Sequence, residues 1–318
     1  MNEITIFSPA TVANVSCAFD VMGFAVEQAG DRMTFRKTAE KGIHIVMKNF
    51  RELPTVPEKN VAGVVALAML EKSHPDFGII IEMEKGILPG SGMGSSGASA
   101  GGAAFGVNKL LGEPFGKAEL VEFAMLGEAL ASGVAHADNV APNLYGGFTL
   151  VRSTKPLDVI SLNTPKNLSV SLIHPLIEVK TKNARNILKK SLLLKDAVMQ
   201  WGNVAGLVAG LFMEDYALIA RSMHDGIVEP VRSMLIPMFG KLKQAALDAG
   251  ALGCSISGSG PSVFALSANP ATAEKVTEAM RKVYAGKDMP FETFTSGINK
   301  QGCRILNSKI SILKSKRQ

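Results

Sequence analysis

The stretch PGSGMGSSGAS, residues 89–99, holds four glycines and four serines in eleven positions. It follows an apolar, strand-like run and leads into an alanine- and glycine-rich helical one. Glycines let neighbouring backbone N–H groups converge. A helix starting near Ser95 turns its unpaired first-turn N–H groups, and the positive end of its dipole, toward the same point. A phosphate is the natural occupant of such a point. Small residues for close helix packing, as in GASAGGAAFG, are the competing explanation. They account for the alanines and glycines after position 97, and less well for Pro89 and the serine pair.

Residues 92–97 match G-x-G-x-x-G literally, yet their context departs from a dinucleotide fold. There the glycines come directly off a strand, whereas here EKGILP intervenes and no clear βαβ unit follows. A Walker A loop needs Gly-Lys followed by Ser or Thr. The Gly-Lys pairs beginning at 116, 240 and 286 all lack that hydroxyl. The absence of His-Arg-Asp argues against a protein kinase. The five histidines (44, 74, 136, 174 and 224) show no HExxH or paired ligand spacing and read as structural, with His136-Ala-Asp138 as a turn.

The elements that must hold this loop follow from periodicity. Alternating or β-branched runs predict strands at 3–7, 32–37, 42–47 and 77–83. Asn60 is placed to cap a helix over VAGVVALAMLEKSH, and further helices are predicted over 95–111 and 117–131. YGGFTLVRS closes this half as turn and strand. The pattern restarts with a strand at 168–173, helical segments around 196–223 and 233–249, short strands in CSIS and SVFALS around a second glycine cluster, and a helix at 270–284. This mixture without a βαβ period predicts an α+β protein of two domains, divided within the proline-bearing stretch 155–166.

Composition narrows the function classes. The chain has 318 residues, 47% hydrophobic and 19% charged, as expected of an ordinary globular protein. Its net charge of +6 comes from six basic and no acidic residues beyond Thr293, leaving 28 basic against 28 acidic in the rest. A solvated basic tail, rather than a nucleic-acid-binding face, is expected. Cys17, Cys254 and Cys303 are odd in number and far apart, which predicts no disulfide framework and a reducing compartment. The start MNEITIFSPA is unlike a signal peptide, and no apolar run is long enough to span a bilayer. A cytoplasmic protein with no membrane partner is expected.

The loop also resembles the signature of the GHMP kinase superfamily, approximately Pro-x-x-x-Gly-Leu-Gly-Ser-Ser-Ala, with Met93 for the leucine and Gly97 for the alanine. SPATVANVSCAFDVMGFAVE at 8–27 is similar to the opening of the homoserine kinase branch, with Ser16, Cys17 and Ala18 where that branch usually has Gly-Pro-Gly. GEALASGVAHADNVAPNLYGGF (127–148), KNARNIL (182–188), EPVRSMLIP (229–237) and SISGSGPSVFAL (255–266) are similar to further segments of it. The Pro-Gly-Arg and Gly-Glu-His opening of the sugar and mevalonate kinases is absent.

The resemblance implies a two-domain GHMP fold, ribosomal-protein-S5-domain-2-like over 1–160 and ferredoxin-like over 161–306, with a basic tail at 307–318. It implies ATP-dependent phosphorylation of the side-chain hydroxyl of L-homoserine, in threonine biosynthesis, by a homodimer. The alternatives are another small-molecule kinase of the superfamily or a silent nucleotide-binding relative. Pro89, Gly90, Ser91, Gly92, Met93, Gly94, Ser95, Ser96, Gly97, Ala98 and Ser99 are then expected around the ATP phosphates, and Asn60 near the nucleoside or simply as a cap. Ser96 and Glu128 are expected to ligate Mg2+. A zwitterionic amino acid needs a cation for its carboxylate, for which Arg185 and Arg232 are candidates. Asn14, Asp20 and Asn139 are candidates for its ammonium and hydroxyl. Asp20 is expected to orient the hydroxyl rather than act as a general base. The second cluster, SGSGPS at 257–262, is expected to bring C-terminal backbone close to the loop, or else to form a tight hairpin.

Overall fold

The computed structural model describes residues 1–177, 181–306 and 316–317, so the tail expected over 307–318 lies outside the described residues except for Lys316–Arg317. In chain order the elements are β1 (Glu3–Val15), β2 (Ala18–Thr38), β3 (Ile43–Met47), α1 (Val61–Ser73), β4 (Gly78–Glu84), α2 (Ser95–Leu111), α3 (Lys117–Ser132), α4 (Val140–Tyr145), β5 (Phe148–Thr154) and β6 (Leu157–Leu162). There follow β7 (Ser169–Pro175), α5 (Thr181–Asn186), α6 (Leu194–Met213), α7 (Tyr216–Ser222), α8 (Glu229–Arg232), α9 (Phe239–Asp248), β8 (Gly253–Ile256), β9 (Val263–Ser267), α10 (Pro270–Tyr284), β10 (Phe291–Gly297), β11 (Arg304–Ile305) and β12 (Lys316–Arg317).

The first sheet has the order β11-β1-β2-β4-β3, with β5 added on β2 and β6 on β5. The second runs β12-β10-β7-β9-β8. Taken without β12, its strands follow the β-α-β-β-α-β order of a ferredoxin-like unit. After β10 the chain returns to the first sheet, where β11 pairs with β1 at Ile6 and Phe7.

Three apolar layers hold these pieces. Ile4, Ile6, Met33, Phe35, Ile79 and Ile81 pack one face of the first sheet against α1, α2 and α3. Val12, Met22, Phe24 and Phe148 meet Leu172, Phe264, Leu266 and the inner face of α6 in a second core that joins the two sheets. Val263, Ala265 and Ile173 point the other way, onto α9 and α10. The alternation along β9 is the period-two pattern of a strand covered on both faces. Each such side chain contributes about 1.5–3 kcal/mol on burial.

Helix boundaries follow local chemistry. The Asn60 side chain accepts from the N–H groups of Ala62 and Gly63 at the start of α1, and His74, left-handed at φ 47°, ends it. Helix α2 lies so close to the sheet that a Cβ at Gly106 would sit 2.2 Å from the Phe35 ring. Its run of small residues therefore serves packing as well.

Three expectations need correction. The strands predicted at 3–7 and 32–37 are parts of longer ones, because β1 and β2 run on through most of residues 8–31 with register shifts near Pro9 and Ala13. The stretch 155–166, expected to divide the domains, holds a strand of the first sheet: Leu157–Leu162 pairs with β5 as a hairpin strand, Leu150 opposite Ile160. The helix expected at 233–249 is split, with Met238 at φ 56° preceding α9. An Asp-Phe-Gly triplet at 76–78 leads into β4 and lies away from the cavity described next.

Candidate active site

A cavity of about 470 Å3 opens between the glycine loop, the β1–β2 hairpin, the ends of α1 and α3, and the second glycine cluster. One end is built of backbone. Gly90, Gly92 and Gly94 have φ of 74°, 80° and 67°, so every second residue is left-handed, while the N–H groups between them are used within the loop, that of Ser91 by the Leu88 carbonyl and that of Met93 by the Ser91 hydroxyl, both at 3.3 Å. Gly94 precedes α2, and no side chain caps that helix. Gly92 cannot carry a side chain, since a Cβ there would lie 2.6 Å from the carbonyl oxygens of Ser257 and Gly260. The Ser257 hydroxyl donates to the Gly92 carbonyl at 2.7 Å, and the Ser262 N–H to that of Ser91 at 3.2 Å. The second glycine cluster thus brings C-terminal backbone onto the loop.

Seven of the loop residues line the cavity: Pro89, Gly90, Gly92, Gly94, Ser95, Ser96 and Ser99. Four face elsewhere. Met93 is a buried plug in the inter-sheet core, and Ser91 accepts the Met93 N–H. Gly97 and Ala98 are buried in the first turn of α2, where a Cβ on Gly97 would meet that of Asn139 at 2.9 Å. Asn60 borders the cavity, but its amide is engaged, as the cap of α1 and as a donor to the Pro54 carbonyl at 2.6 Å.

Beneath the loop lies a cation that sequence reasoning missed. Lys85 is 5% exposed. Its ammonium pairs with the buried Asp31 carboxylate and donates to the Ser95 carbonyl and the Ser99 hydroxyl, both at 2.8 Å. Asp31 also accepts the N–H groups of Gly86 and Ile87. The pair ties β2, the end of β4 and the first turn of α2 together.

At the mouth of α2 the Ser96 hydroxyl lies beside the carboxylate of Glu128, which is buried on α3. Burial holds this carboxyl above its ordinary range, opposed by the serine. Glu128 Oε1 has no hydrogen-bond partner. A buried carboxylate oxygen without a partner, next to a hydroxyl and a phosphate-sized cradle, is a donor set suited to a hard divalent cation. Among the described residues no cluster of three or more His, Cys, Asp or Glu could hold a metal alone. A cation here therefore needs further oxygens from a ligand or from water.

The other end is built of side chains. In the β1–β2 hairpin Asn14, Ser16 and Asp20 are left-handed, at φ 56°, 52° and 61°, a strained arrangement for residues with a Cβ. Asn14 Oδ1 accepts the Asp20 N–H at 2.8 Å, and Asn14 Nδ2 donates to the Gly258 carbonyl at 2.9 Å. The Asp20 carboxylate pairs with Arg185 of α5 at 2.5 Å. Arg185 also donates to His136 Nε2 at 2.7 Å, which requires that nitrogen to be unprotonated. Burial, with the two arginines nearby, holds the imidazole below its ordinary pKa in agreement.

Arg232, 2% exposed, donates to the Ala184 and Gly258 carbonyls, both at 3.1 Å. Both guanidiniums approach the Phe19 ring, Arg232 at 4.9 Å and Arg185 at 5.5 Å from its centroid. Asp138, fully buried, is pushed up to about 7 by burial and by the neighbouring charges of Asp20 and Glu128. Asn139 Oδ1 accepts from Thr11 at 2.7 Å, which fixes the amide and leaves its NH2 as a donor. Two arginines face the single ion-paired carboxylate of Asp20 at this end of the cavity.

The cavity thus brings together Asn14, Asp20, Asn60, Ser96, Glu128, Asn139, Arg185 and Arg232. It adds Lys85, His136 and Asp138, which sequence reasoning did not select. The signal for the last two stood in GVAHADN, where a His-x-Asp-Asn run borders a helix start. Nothing local to the strand GIIIEMEK marks its final lysine as buried.

Comparison with known proteins agrees with this construction. Family models described as GHMP kinases N terminal domain and GHMP kinases C terminal match residues 60–147 and 206–286. The chain is 46% identical over 322 residues to a homoserine kinase of Chlorobaculum tepidum, covering 97% of this chain and 99% of that one. It is 41% identical over 307 residues to one of Methanocella arvoryzae, with 96% and 98% covered. The crystal structure of a homoserine kinase from Cytophaga hutchinsonii superposes with a TM-score of 0.93 at 52% identity, over 96% of this chain and 98% of that one.

Proposed function

The chain belongs to the homoserine kinase family of the GHMP kinases, and from that premise we propose how its cavity works. The enzyme transfers the γ-phosphoryl group of ATP to the side-chain hydroxyl of L-homoserine, giving O-phospho-L-homoserine for threonine biosynthesis. One observation carries the assignment of sites: a single cavity has an uncapped helix start and glycine loop at one end and two guanidiniums over Phe19 at the other. The first is suited to a triphosphate and the second to an amino-acid carboxylate.

At the phosphate end the backbone N–H groups around Gly90, Gly92 and Gly94 and the first turn of α2 receive the phosphates, and Lys85 holds that turn in place from beneath. Ser96 and Glu128 would hold a Mg2+ ion together with phosphate oxygens. When bound, the ion neutralises charge on the transferring group. At the other end Arg185 and Arg232 take the homoserine carboxylate. Asp20 and Asp138 take the ammonium, while Asn14 and Asn139 orient the hydroxyl toward the phosphates. The cavity's carboxylates are ion-paired or buried, and none is needed as a strong base. A loose phosphoryl-transfer transition state asks mainly for alignment, and the hydroxyl proton can leave to a phosphate oxygen.

We also propose that residues 1–160 and 161–306 act as two units clamped at this cavity, that the enzyme works in the cytoplasm, and that it does so as a homodimer. ADP release with L-homoserine, mevalonate, galactose and shikimate, with product masses determined, tests the substrate. Turnover with L-homoserine alone is expected. Equal turnover with another of these alcohols would overturn the assignment of the arginine end.

A further inference from the structure

The outward face of α6 is apolar where a surface helix ordinarily carries charge. Its only ionisable residues in twenty positions are Lys195 and Asp196, both in the first turn. Its inward face, Leu207, Gly210 and Leu211, is buried against the inter-sheet core. On the opposite side Leu194, Val198, Trp201, Ala205 and Phe212 are exposed, and together with the half-buried Val208, which also packs against the inter-sheet core, they follow one another at spacings of four, three, four, three and four, the seam of a helix that pairs with another helix. Leu194 is 72%, Trp201 56% and Phe212 57% exposed. No helix among the described residues is long and apolar enough to cross a membrane.

The spacings read the same in both directions. Two copies laid antiparallel about a two-fold axis at the middle of the seam set Leu194 against the partner's Phe212, Val198 against the partner's Val208, and Trp201 against the partner's Ala205. The largest side chain thus meets the smallest. Charges agree as well: Lys195 and the exposed Lys189 and Lys190 come to the end where the partner's Glu214 follows its helix, and the helix dipoles oppose. Taking about 150–250 Å2 for a whole large side chain, the seam and its flanking Leu193 and Met213 expose on the order of 700 Å2. That is close to the ~800 Å2 each partner buries in a stable interface.

We infer that this seam is where a second copy of the chain docks, α6 against α6, about a two-fold axis. The inference rests on the proposed homodimer and adds the face that forms it. Leu192 and Leu193, exposed beside the seam, join α6 to the α5 segment that carries Arg185, so docking braces the substrate arginine.

Light scattering on the full chain at micromolar concentration tests this, with circular dichroism confirming the fold. Wild type is expected at twice 33.7 kDa. The pair Val198→Glu with Phe212→Glu, and separately Ala205→Arg, should give the mass of one chain. Leu130→Glu, in a second exposed apolar row on α3, should stay dimeric. The emission of Trp201, the chain's only tryptophan, should move to the red on dissociation. A wild-type dimer that survives the folded α6 variants, or that Leu130→Glu dissociates, overturns this face while leaving the homodimer standing. A monomeric wild type removes both.

Discussion

The two ends proposed for ATP and for homoserine are built by opposite means. The phosphate end uses main chain: three left-handed glycines and an uncapped helix start, fixed by contacts from Ser257 and Ser262 and by the buried Lys85 and Asp31 pair. The amino-acid end uses side chains from the β1–β2 hairpin, the segment before α4, α5 and α8, gathered around Phe19. A backbone cradle depends on residues that cannot be replaced because of shape. A side-chain cradle depends on residues that cannot be replaced because of charge. Variants at the first end should therefore disturb the loop and the chemistry, and variants at the second should disturb affinity for one substrate.

The largest effect is expected where the ends meet the reacting group. Glu128→Gln should lower kcat by ~10³-fold and raise the Mg2+ needed for half-maximal rate, with little change in KM for homoserine, because an electrostatic contact of the transition state is lost. Steady-state rates over a Mg2+ titration read this out. Next, Arg185→Ala or Arg232→Ala should raise KM for homoserine about 10–100-fold, the worth of a charge-assisted hydrogen bond, with kcat changed much less. The Arg232 variant should also melt earlier, since its guanidinium satisfies two buried carbonyls.

Gly94→Ala joins the two ends in one test. A Cβ there would sit 2.0 Å from the Thr11 hydroxyl oxygen and 2.7 Å from Asn139 Oδ1, on a backbone at φ +67°. Stability should fall by about 1–3 kcal/mol, and KM should rise for both ATP and homoserine. A rise for ATP alone would show that Asn139 does not reach the amino acid.

Asp138 gives the amino-acid end a pH signature of its own. Its folded pKa of about 7 lies above the ordinary 3.8, so the folded chain keeps this proton longer than the unfolded one. The stability it contributes is complete below about pH 4 and is lost as pH rises through about 7, by on the order of a few kcal/mol. Melting of the ligand-free enzyme between pH 5 and 8 should show that decline, and Asp138→Asn should flatten it. The smallest effect is expected at Asn60→Ala, where loss of the α1 cap costs about 1 kcal/mol, seen in the melting temperature, while kcat stays near wild type.

The same contrast decides how much the sequence could disclose. Glycine spacing, a proline before it and a helical run after it are local, so the loop and α2 were legible, as were α1 and α3 from period and caps. The chain's own residues also announced two domains of mixed type. The arginine end was legible only through resemblance, because Arg185 and Arg232 lie far from Asp20 in sequence and converge through the fold. Lys85 and Asp31 were invisible for the same reason: burial of a lone lysine is a property of three elements at once. The long β1 and β2 were hidden by Asn14, Ser16 and Asp20, turn-forming residues that the strands tolerate at a strained hairpin.

The central claim is that one cavity divides its labour between these ends. Measuring kcat and both KM values for Glu128→Gln and Arg185→Ala side by side tests it most directly. The account predicts that the first loses kcat and Mg2+ response with homoserine affinity intact, and that the second loses homoserine affinity with ATP affinity intact. A matching loss of kcat in both variants, with homoserine KM unmoved in Arg185→Ala, would contradict it.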